Sequence, residues 1–415
     1  MKRWMLVALF GLYLAVVLAS SQDRFQEDEG TYVGYATNLT HGFYSHRDPS
    51  KVDLRAGPGY PLLLAPFVAL GAPWSAAKML NIVLMLGGVL LVYKTLRIYV
   101  PERTAAWSAL LMGLYPPFLR HIHQLMTETF AVFLVCAFGY FFCRACRDDQ
   151  PRRGLVLGAA AALAWLALTR TIFGYVILVT LVMCLLAVVL RQPLFKRPAL
   201  IFALALVLCT PYLLYTWSLT GRVFYWSDGG GSALYWMSTP YEGELGDWQN
   251  WITLPATSRF RQNHSEFFDR LGEMSHTELH ESMRRQALGN IAAHPGKYLR
   301  NWTANVGRLL FSFPYTDTPQ KLSTLFYAVP NTILLALLSL SLLVVIVRQR
   351  MVSTELYVLL LTGLVGLAGS TLLSAVPRYF TPLVPVFTIW IVTVLSSVVE
   401  VRIRPRGENA ARVGV

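Results

Sequence analysis

Long apolar segments recur along the chain, each about twenty residues long and nearly free of charged side chains. A helix of about 20 apolar residues spans the hydrocarbon core of a bilayer. The pattern therefore predicts an all-α polytopic membrane protein with about ten transmembrane helices. The predicted spans are residues 4–20, 76–97, 103–119, 125–144, 154–169, 171–190, 198–217, 328–347, 355–375 and 379–399.

These spans divide the chain into four parts. Residues 1–217 form a first bundle of about seven helices, which includes an outer loop at 21–75. Residues 218–327 form a long outer loop with amphipathic, juxtamembrane helices, and 328–400 hold the last three spans. Residues 401–415 form a polar tail.

Basic residues lie at alternate helix ends and orient the bundle. The side that holds the N-terminus collects Lys2, Arg3, Lys94, Arg97, Arg103, Arg144, Arg147, Arg152, Arg153, Arg191, Lys196, Arg197, Arg348 and Arg350. The short turns on the other side carry only Arg120, Arg170 and Arg378. By the positive-inside rule both termini are predicted to be cytoplasmic. The net charge of +13 then reflects orientation signals and gives no reason to expect nucleic-acid binding.

The first segment allows two interpretations. Lys2 and Arg3 before an apolar run that ends at Ala19-Ser20 would suit a signal peptide. The apolar run is long for such a peptide, and we expect an uncleaved first helix.

Three consecutive carboxylates, Glu27-Asp28-Glu29, follow this first span. Apolar side chains then recur at helical spacing, at Tyr32, Tyr35, Ala36 and Leu39. This spacing predicts a surface helix with acids in its first turn, where the helix dipole favours negative charge. Gly42 is predicted to end it.

Charged residues also stand at the outer ends of later spans. Glu128 lies about one turn inside its helix, and Arg170 and Arg378 adjoin two others, while Arg55 precedes a Gly-Pro-Gly turn. Arginine binds phosphate through bidentate hydrogen bonds, and a carboxylate can deprotonate a nucleophile. One alternative stays open: Glu128 could serve the helix dipole, and the arginines could reach towards lipid headgroups.

The long outer loop contains three local patterns. The glycine-rich stretch 228–232 lacks the residues of a phosphate loop and predicts a flexible lid or acceptor loop. Ser275-x-x-Glu278 is a capping box that predicts a helix up to Pro295-Gly296. A second amphipathic helix is predicted from Lys297 onwards.

Five short motifs, taken in order, resemble those of the GT-C superfamily of membrane glycosyltransferases. They are Asp28-Glu29-x-x-Tyr32, Arg55-x-Gly57-Pro58-x-Tyr60-Pro61, Thr127-Glu128-Thr129, His294-Pro295-x-x-Tyr298 and Arg378-Tyr379-x-x-Pro382. The closest branch is similar to the protein O-mannosyltransferases and the lipid A aminoarabinose transferases. One departure is that a single proline, Pro58, stands where the family has paired prolines, and arginine replaces lysine before it.

The resemblance implies a hexosyl- or pentosyltransferase that uses a polyprenyl-phosphate sugar. Asp28, with Glu29 beside it, would be the general base of an inverting transfer, and Glu128 would orient the acceptor or share the charge. The resemblance gives phosphate binding to Arg55, Arg170, Arg378 and Tyr379, and substrate binding to Tyr32, Tyr60 and His294. The acceptor would be a lipid, glycan or protein met at the outer face of a bacterial inner (plasma) membrane.

No cofactor is expected to be required. A divalent cation held by Asp28, Glu29 and Glu128 is the alternative, because arginines can stabilise a leaving phosphate without one. Two other functions stay open, a secondary transporter and a non-catalytic lipid-binding protein of the cell envelope.

Overall fold

The computed structural model describes residues 1–20, 24–46, 53–271, 274, 276–348 and 352–398. Over these residues the chain forms α-helices and short 3₁₀ turns and contains no β-strand, so the predicted all-α class is confirmed. The helices are α1 (Arg3–Ser20), α2 (Glu29–Thr40), α3 (Gly59–Ala69), α4 (Trp74–Leu96), α5 (Glu102–Gly113), α6 (Pro116–His121), α7 (Thr127–Arg147), α8 (Arg153–Thr169), α9 (Ile172–Val189), α10 (Lys196–Thr220), α11 (Gly229–Met237), α12 (Arg259–Asp269), α13 (His276–Ala293), α14 (Pro295–Phe311), α15 (Leu325–Arg348), α16 (Thr354–Thr371) and α17 (Val384–Ser396).

Eight helices in the described part of the chain are long and apolar enough to cross a membrane. They are α1, α4, α7, α9 and α16, together with α10, α15 and α17 when their adjoining 3₁₀ turns are included. A ninth predicted span corresponds to α8, which is apolar but only 17 residues long.

The predicted span 103–119 is divided into α5 and α6. The backbone of Tyr115 is extended, with ψ of 119°, directly before Pro116-Pro117. A residue that precedes proline is sterically disfavoured from helical geometry, which explains the break. Beyond this break α6 contacts both α7 and α15.

The outer loop at 21–75 contains the predicted surface helix, α2. It ends as expected beside Gly42, whose φ of +87° suits a residue without a Cβ. The helix α3 follows the Gly-Pro-Gly turn, and α2 and α3 pack against each other through Tyr32 and Tyr60, whose ring centroids lie 5.3 Å apart.

The described part of the segment 218–327, which was predicted to be an outer loop, contains α11 to α14. The glycine-rich stretch was predicted to be a flexible lid or acceptor loop, but it forms the first turn of α11. Gly231 packs so closely on α13 that an added Cβ would lie 2.2 Å from the His280 carbonyl oxygen. Both predicted amphipathic helices are present as α13 and α14, although Ser275 of the predicted capping box lies outside the described residues.

The centre of the membrane bundle is α7, which packs on α4 and α8 and carries the largest buried share among the membrane spans. Small residues on α8, including Ala159, Ala160 and Ala167, are fully buried and let neighbouring helices approach closely. The side chain of Glu128, in the first turn of α7, is buried within this packing.

Candidate active site

Five charged side chains from distant parts of the sequence meet where α2, α7, α9 and α17 begin. Arg378 lies 2.6 Å from Asp28 and 3.0 Å from Glu27, measured between guanidinium nitrogen and carboxylate oxygen. Arg170 lies 2.6 Å from Glu128, and the Nε of Arg378 lies 3.6 Å from the same Glu128 oxygen. We call these five residues the acid–arginine cluster.

Glu128 is the buried centre of the cluster. Its side chain is 1% exposed and lies between the guanidinium groups of Arg170, 14% exposed, and Arg378, 19% exposed. Burying a carboxylate is costly unless cations and hydrogen bonds compensate it, and here two arginines do so. One oxygen, Oε2, is buried without a hydrogen-bond partner among the described residues.

Arg170 is held in place by close backbone packing. It ends α8 in an extended conformation, and the preceding residues rest against the Gly57-Pro58-Gly59 turn. A Cβ on Gly57 would lie 2.2 Å from the Leu168 carbonyl oxygen, and one on Gly59 would lie 2.4 Å from the Thr169 hydroxyl. The glycines therefore allow the contact that positions Arg170.

Two aromatic groups reinforce this contact. The indole of Trp165 donates a hydrogen bond of 2.8 Å to the carbonyl of Gly59. The guanidinium carbon of Arg170 lies 5.2 Å from the centroid of the Tyr379 ring, a cation–π arrangement. Tyr379, predicted to bind phosphate, thus contacts a cluster arginine.

The acid-bearing turn is held under backbone strain. Glu27 has φ of +47°, a left-handed conformation that is uncommon for a residue with a Cβ and is often found at functional sites. The carbonyl of Asp28 accepts from the amides of Thr31 and Tyr32 and starts α2. The side chains of Glu27 and Asp28, 46% and 43% exposed, both point to Arg378.

Glu29, predicted to be catalytic, makes no ion pair with the arginines of the cluster among the described residues. The residue is 2% exposed, and both of its carboxylate oxygens accept backbone hydrogen bonds. One bond comes from the amide of Gln26 at 2.6 Å and the other from the amide of Leu125 at 2.7 Å. Glu29 therefore joins the acidic turn to the segment before α7. It positions its neighbours, and the exposed acids are Glu27 and Asp28.

Tyr32 lies beside the cluster, and Tyr60 packs behind it. Burial raises the pKa of Tyr32 to about 12, and the negative charge of Asp28 adds to this effect. Tyr60 is 1% exposed and also contacts Phe130. Tyr32 is therefore a neutral hydroxyl at neutral pH, able to donate a hydrogen bond to a ligand.

Two predicted residues lie elsewhere. Arg55 is exposed, and its backbone amide donates to Oδ1 of Asp53 at 3.2 Å. It takes no part in the ion pairs of the acid–arginine cluster described above. His294 is exposed at the start of α14, where its carbonyl accepts from the amides of Lys297 and Tyr298. The Gly-Pro-Gly turn after Arg55 supports Arg170 instead of presenting Arg55, and His294 has a helix-capping place.

The sequence did not indicate a further polar pair near Glu128. His121, buried at the end of α6, contacts the Tyr327 hydroxyl through Nε2 at 3.1 Å and the Gln124 side chain through Nδ1 at 3.1 Å. Burial lowers the pKa of His121, against a smaller opposing influence of Glu128. The available signal was the His-x-His sequence directly before the span that carries Glu128.

Part of the chain matches a known family of proteins. Residues 55–215, less than half of the chain, match the family model described as dolichyl-phosphate-mannose-protein mannosyltransferase. Over this region the match supports the predicted resemblance to membrane glycosyltransferases. The matched region of this chain includes Glu128 and Arg170. No curated protein sequence matches this chain.

Two solved structures have a weak overall likeness to this chain. ArnT from Cupriavidus metallidurans bound to undecaprenyl phosphate is 16% identical, with 95% of this chain and 77% of that chain covered and a TM-score of 0.44. The Archaeoglobus fulgidus oligosaccharyltransferase, tethered with an acceptor peptide containing the NVT sequon, is 12% identical with a TM-score of 0.47. That alignment covers 96% of this chain and 50% of the other.

Proposed function

We propose that this chain transfers a sugar from a polyprenyl-phosphate donor to an acceptor hydroxyl at the outer face of the membrane. One observation carries the proposal: Arg170 and Arg378 meet at a buried carboxylate while Arg378 also contacts the exposed Asp28. Cations for a leaving phosphate and a base for a nucleophile are therefore adjacent. The matched family is named for a donor of this class.

Asp28 would act as the general base. Its Oδ2 is paired with Arg378, whereas its Oδ1 makes no hydrogen bond within the described residues. In the proposed step Oδ1 takes the acceptor proton as the acceptor oxygen bonds to the anomeric carbon. The bond from that carbon to the phosphate oxygen breaks, and its electron pair leaves with the lipid phosphate. Attack opposite the leaving group inverts the anomeric configuration.

Arg170 and Arg378 would stabilise the phosphate as its charge develops. Each guanidinium has a fork of donors that matches phosphate oxygens, and the buried Nε atoms of both have no hydrogen-bond partner among the described residues. Glu128 would hold the two cations at one spacing. Tyr32 and Tyr379 would bind the substrates beside them.

We further propose that a metal ion is not required. The three carboxylates of the cluster already contact arginine, and guanidinium groups can supply the stabilisation that a divalent cation gives elsewhere. Turnover in the presence of a chelator tests this point, with activity that returns only on adding Mg²⁺ or Mn²⁺ as the opposing result.

Reconstituted protein tests the proposed function itself. Proteoliposomes would receive polyprenyl phosphates that carry different radiolabelled sugars, together with membrane extract as the acceptor source. We expect one donor to lose its label to a new product with release of lipid phosphate. A transporter would move a solute in sealed vesicles without consuming any donor, and this outcome would replace the proposal.

A further inference from the structure

A basic cleft lies on the membrane face opposite the acid–arginine cluster. The helix α7 carries Glu128 in its first turn, and its other end lies about 30 Å away at 1.5 Å per residue. There the ends of α4 and α7 border an open cleft of about 560 Å³. Its lining consists of Lys94, Arg97, Ile98, Arg144, Arg147, Asp148 and Asp149.

Only part of this positive charge is neutralised. Arg97 lies 2.5 Å from Glu102, and Arg144 lies 3.4 Å from Asp148. Lys94 and Arg147 have no carboxylate partner among the residues that the structure describes. Two cations from different helices therefore face one cleft with their charge available.

The two cations differ in how they are held. The guanidinium carbon of Arg147 lies 5.1 Å from the Tyr99 ring centroid, which orients the planar group. Lys94 is exposed at the last turn of α4. Arg197 donates to the backbone carbonyls of Asp148 and Asp149 and so fixes the turn that forms one rim.

We propose that this cleft binds the phosphate headgroup of an anionic membrane phospholipid. Both bordering helices are long and apolar enough to cross the bilayer, so their ends lie at the level of lipid headgroups. Basic pockets between membrane helices bind such headgroups, and the oriented guanidinium of Arg147 offers two parallel donors to a phosphate. The proposal does not depend on the catalytic function.

Lipid binding to the detergent-purified full chain tests the proposal, with phosphatidylglycerol as the probe and phosphatidylcholine as the neutral comparison. Native mass spectrometry would count the bound lipid as its concentration rises. In the variant Lys94→Gln/Arg147→Gln we expect phosphatidylglycerol affinity to fall about tenfold or more, since each cation near an anionic surface contributes appreciably. Phosphatidylcholine binding should stay unchanged.

Two further variants distinguish binding at this cleft from a general effect of positive charge on the protein. Arg3→Gln/Arg348→Gln removes two exposed cations from the ends of α1 and α15 and should leave phosphatidylglycerol affinity within about twofold. Lys94→Gln alone leaves the contact of Arg147 with Tyr99 intact and should lower phosphatidylglycerol affinity about fivefold, so that it still tests the cleft where the double glutamine variant does not fold.

Three results would overturn the proposal. The glutamine variant could bind phosphatidylglycerol as the natural chain does, which would leave the cations to serve only the helix ends. Phosphatidylglycerol and phosphatidylcholine could bind equally well. Inorganic phosphate at millimolar concentration could displace the lipid completely, which would identify a free anion as the ligand.

Discussion

Arg378 donates a hydrogen bond of 2.6 Å to the carboxylate of Asp28, although 350 residues separate them in the sequence. The pair joins the turn before the last membrane helix to the turn after the first. Because the same guanidinium also contacts Glu27 and approaches Glu128, a phosphate that reaches Arg378 must share or replace carboxylate contacts. Donor binding would thereby release Asp28 to act as a base.

The variant Asp28→Asn should lower turnover about a hundredfold, the usual loss when a general base is removed. Donor binding should persist, because asparagine can still accept a hydrogen bond from Arg378. Turnover with labelled donor and binding of undecaprenyl phosphate measure the two effects. Glu27→Gln is the matched control, with an expected loss of less than about tenfold. Equal losses in both variants would argue against a special role of Asp28.

The variant Arg378→Gln should weaken binding of undecaprenyl phosphate and destabilise the fold. Glu128, 1% exposed, would retain only Arg170 as a charged partner, and breaking a buried ion pair costs about 3 kcal/mol. Thermal melting in detergent measures the stability. Arg378→Lys keeps a cation beside Glu128, so its melting temperature should recover, while phosphate binding should stay weak because lysine lacks the guanidinium fork. Unchanged phosphate binding in Arg378→Gln would contradict phosphate binding by Arg378.

Gly59→Ala should lower stability by about 2 kcal/mol, the scale of overpacking a tight contact. The new Cβ would lie 2.4 Å from the Thr169 hydroxyl and 2.7 Å from its backbone nitrogen, so α8 must shift with Arg170. Undecaprenyl phosphate binding should weaken as well. Gly154→Ala at the other end of α8 has open space around the added Cβ and should be neutral or slightly stabilising. Unchanged phosphate binding in Gly59→Ala would refute the positioning role.

The sequence placed Glu128, Arg170 and Arg378 near one another for a simple reason. Hydropathy sets where each span ends, and alternate ends must share one membrane face. The sequence did not show that Glu29 is buried while Glu27 is exposed. At the start of a helix, a small shift in position decides whether a side chain points inwards or outwards. The sequence did not reveal the contact of Gly57 and Gly59 with α8, because this contact depends on tertiary packing, which leaves no local pattern.

The packing of Glu29 leads to a further prediction. Glu29→Gln replaces one of the two carboxylate oxygens that accept from the amides of Gln26 and Leu125. We expect a loss of about 1–3 kcal/mol in stability, typical of an unsatisfied buried group, with turnover kept within about tenfold at permissive temperature. A loss of turnover as large as that of Asp28→Asn, with unchanged melting, would return Glu29 to the catalytic residues.

The most direct test of the acid–arginine cluster is an experimental structure of the full chain with undecaprenyl phosphate bound. The account predicts the phosphorus atom between Arg170 and Arg378, with phosphate oxygens about 3 Å from both guanidinium groups. Asp28 should then face the position of the acceptor. A lipid phosphate found only elsewhere, with the ion pairs of Arg378 to Asp28 and Glu27 intact, would contradict it.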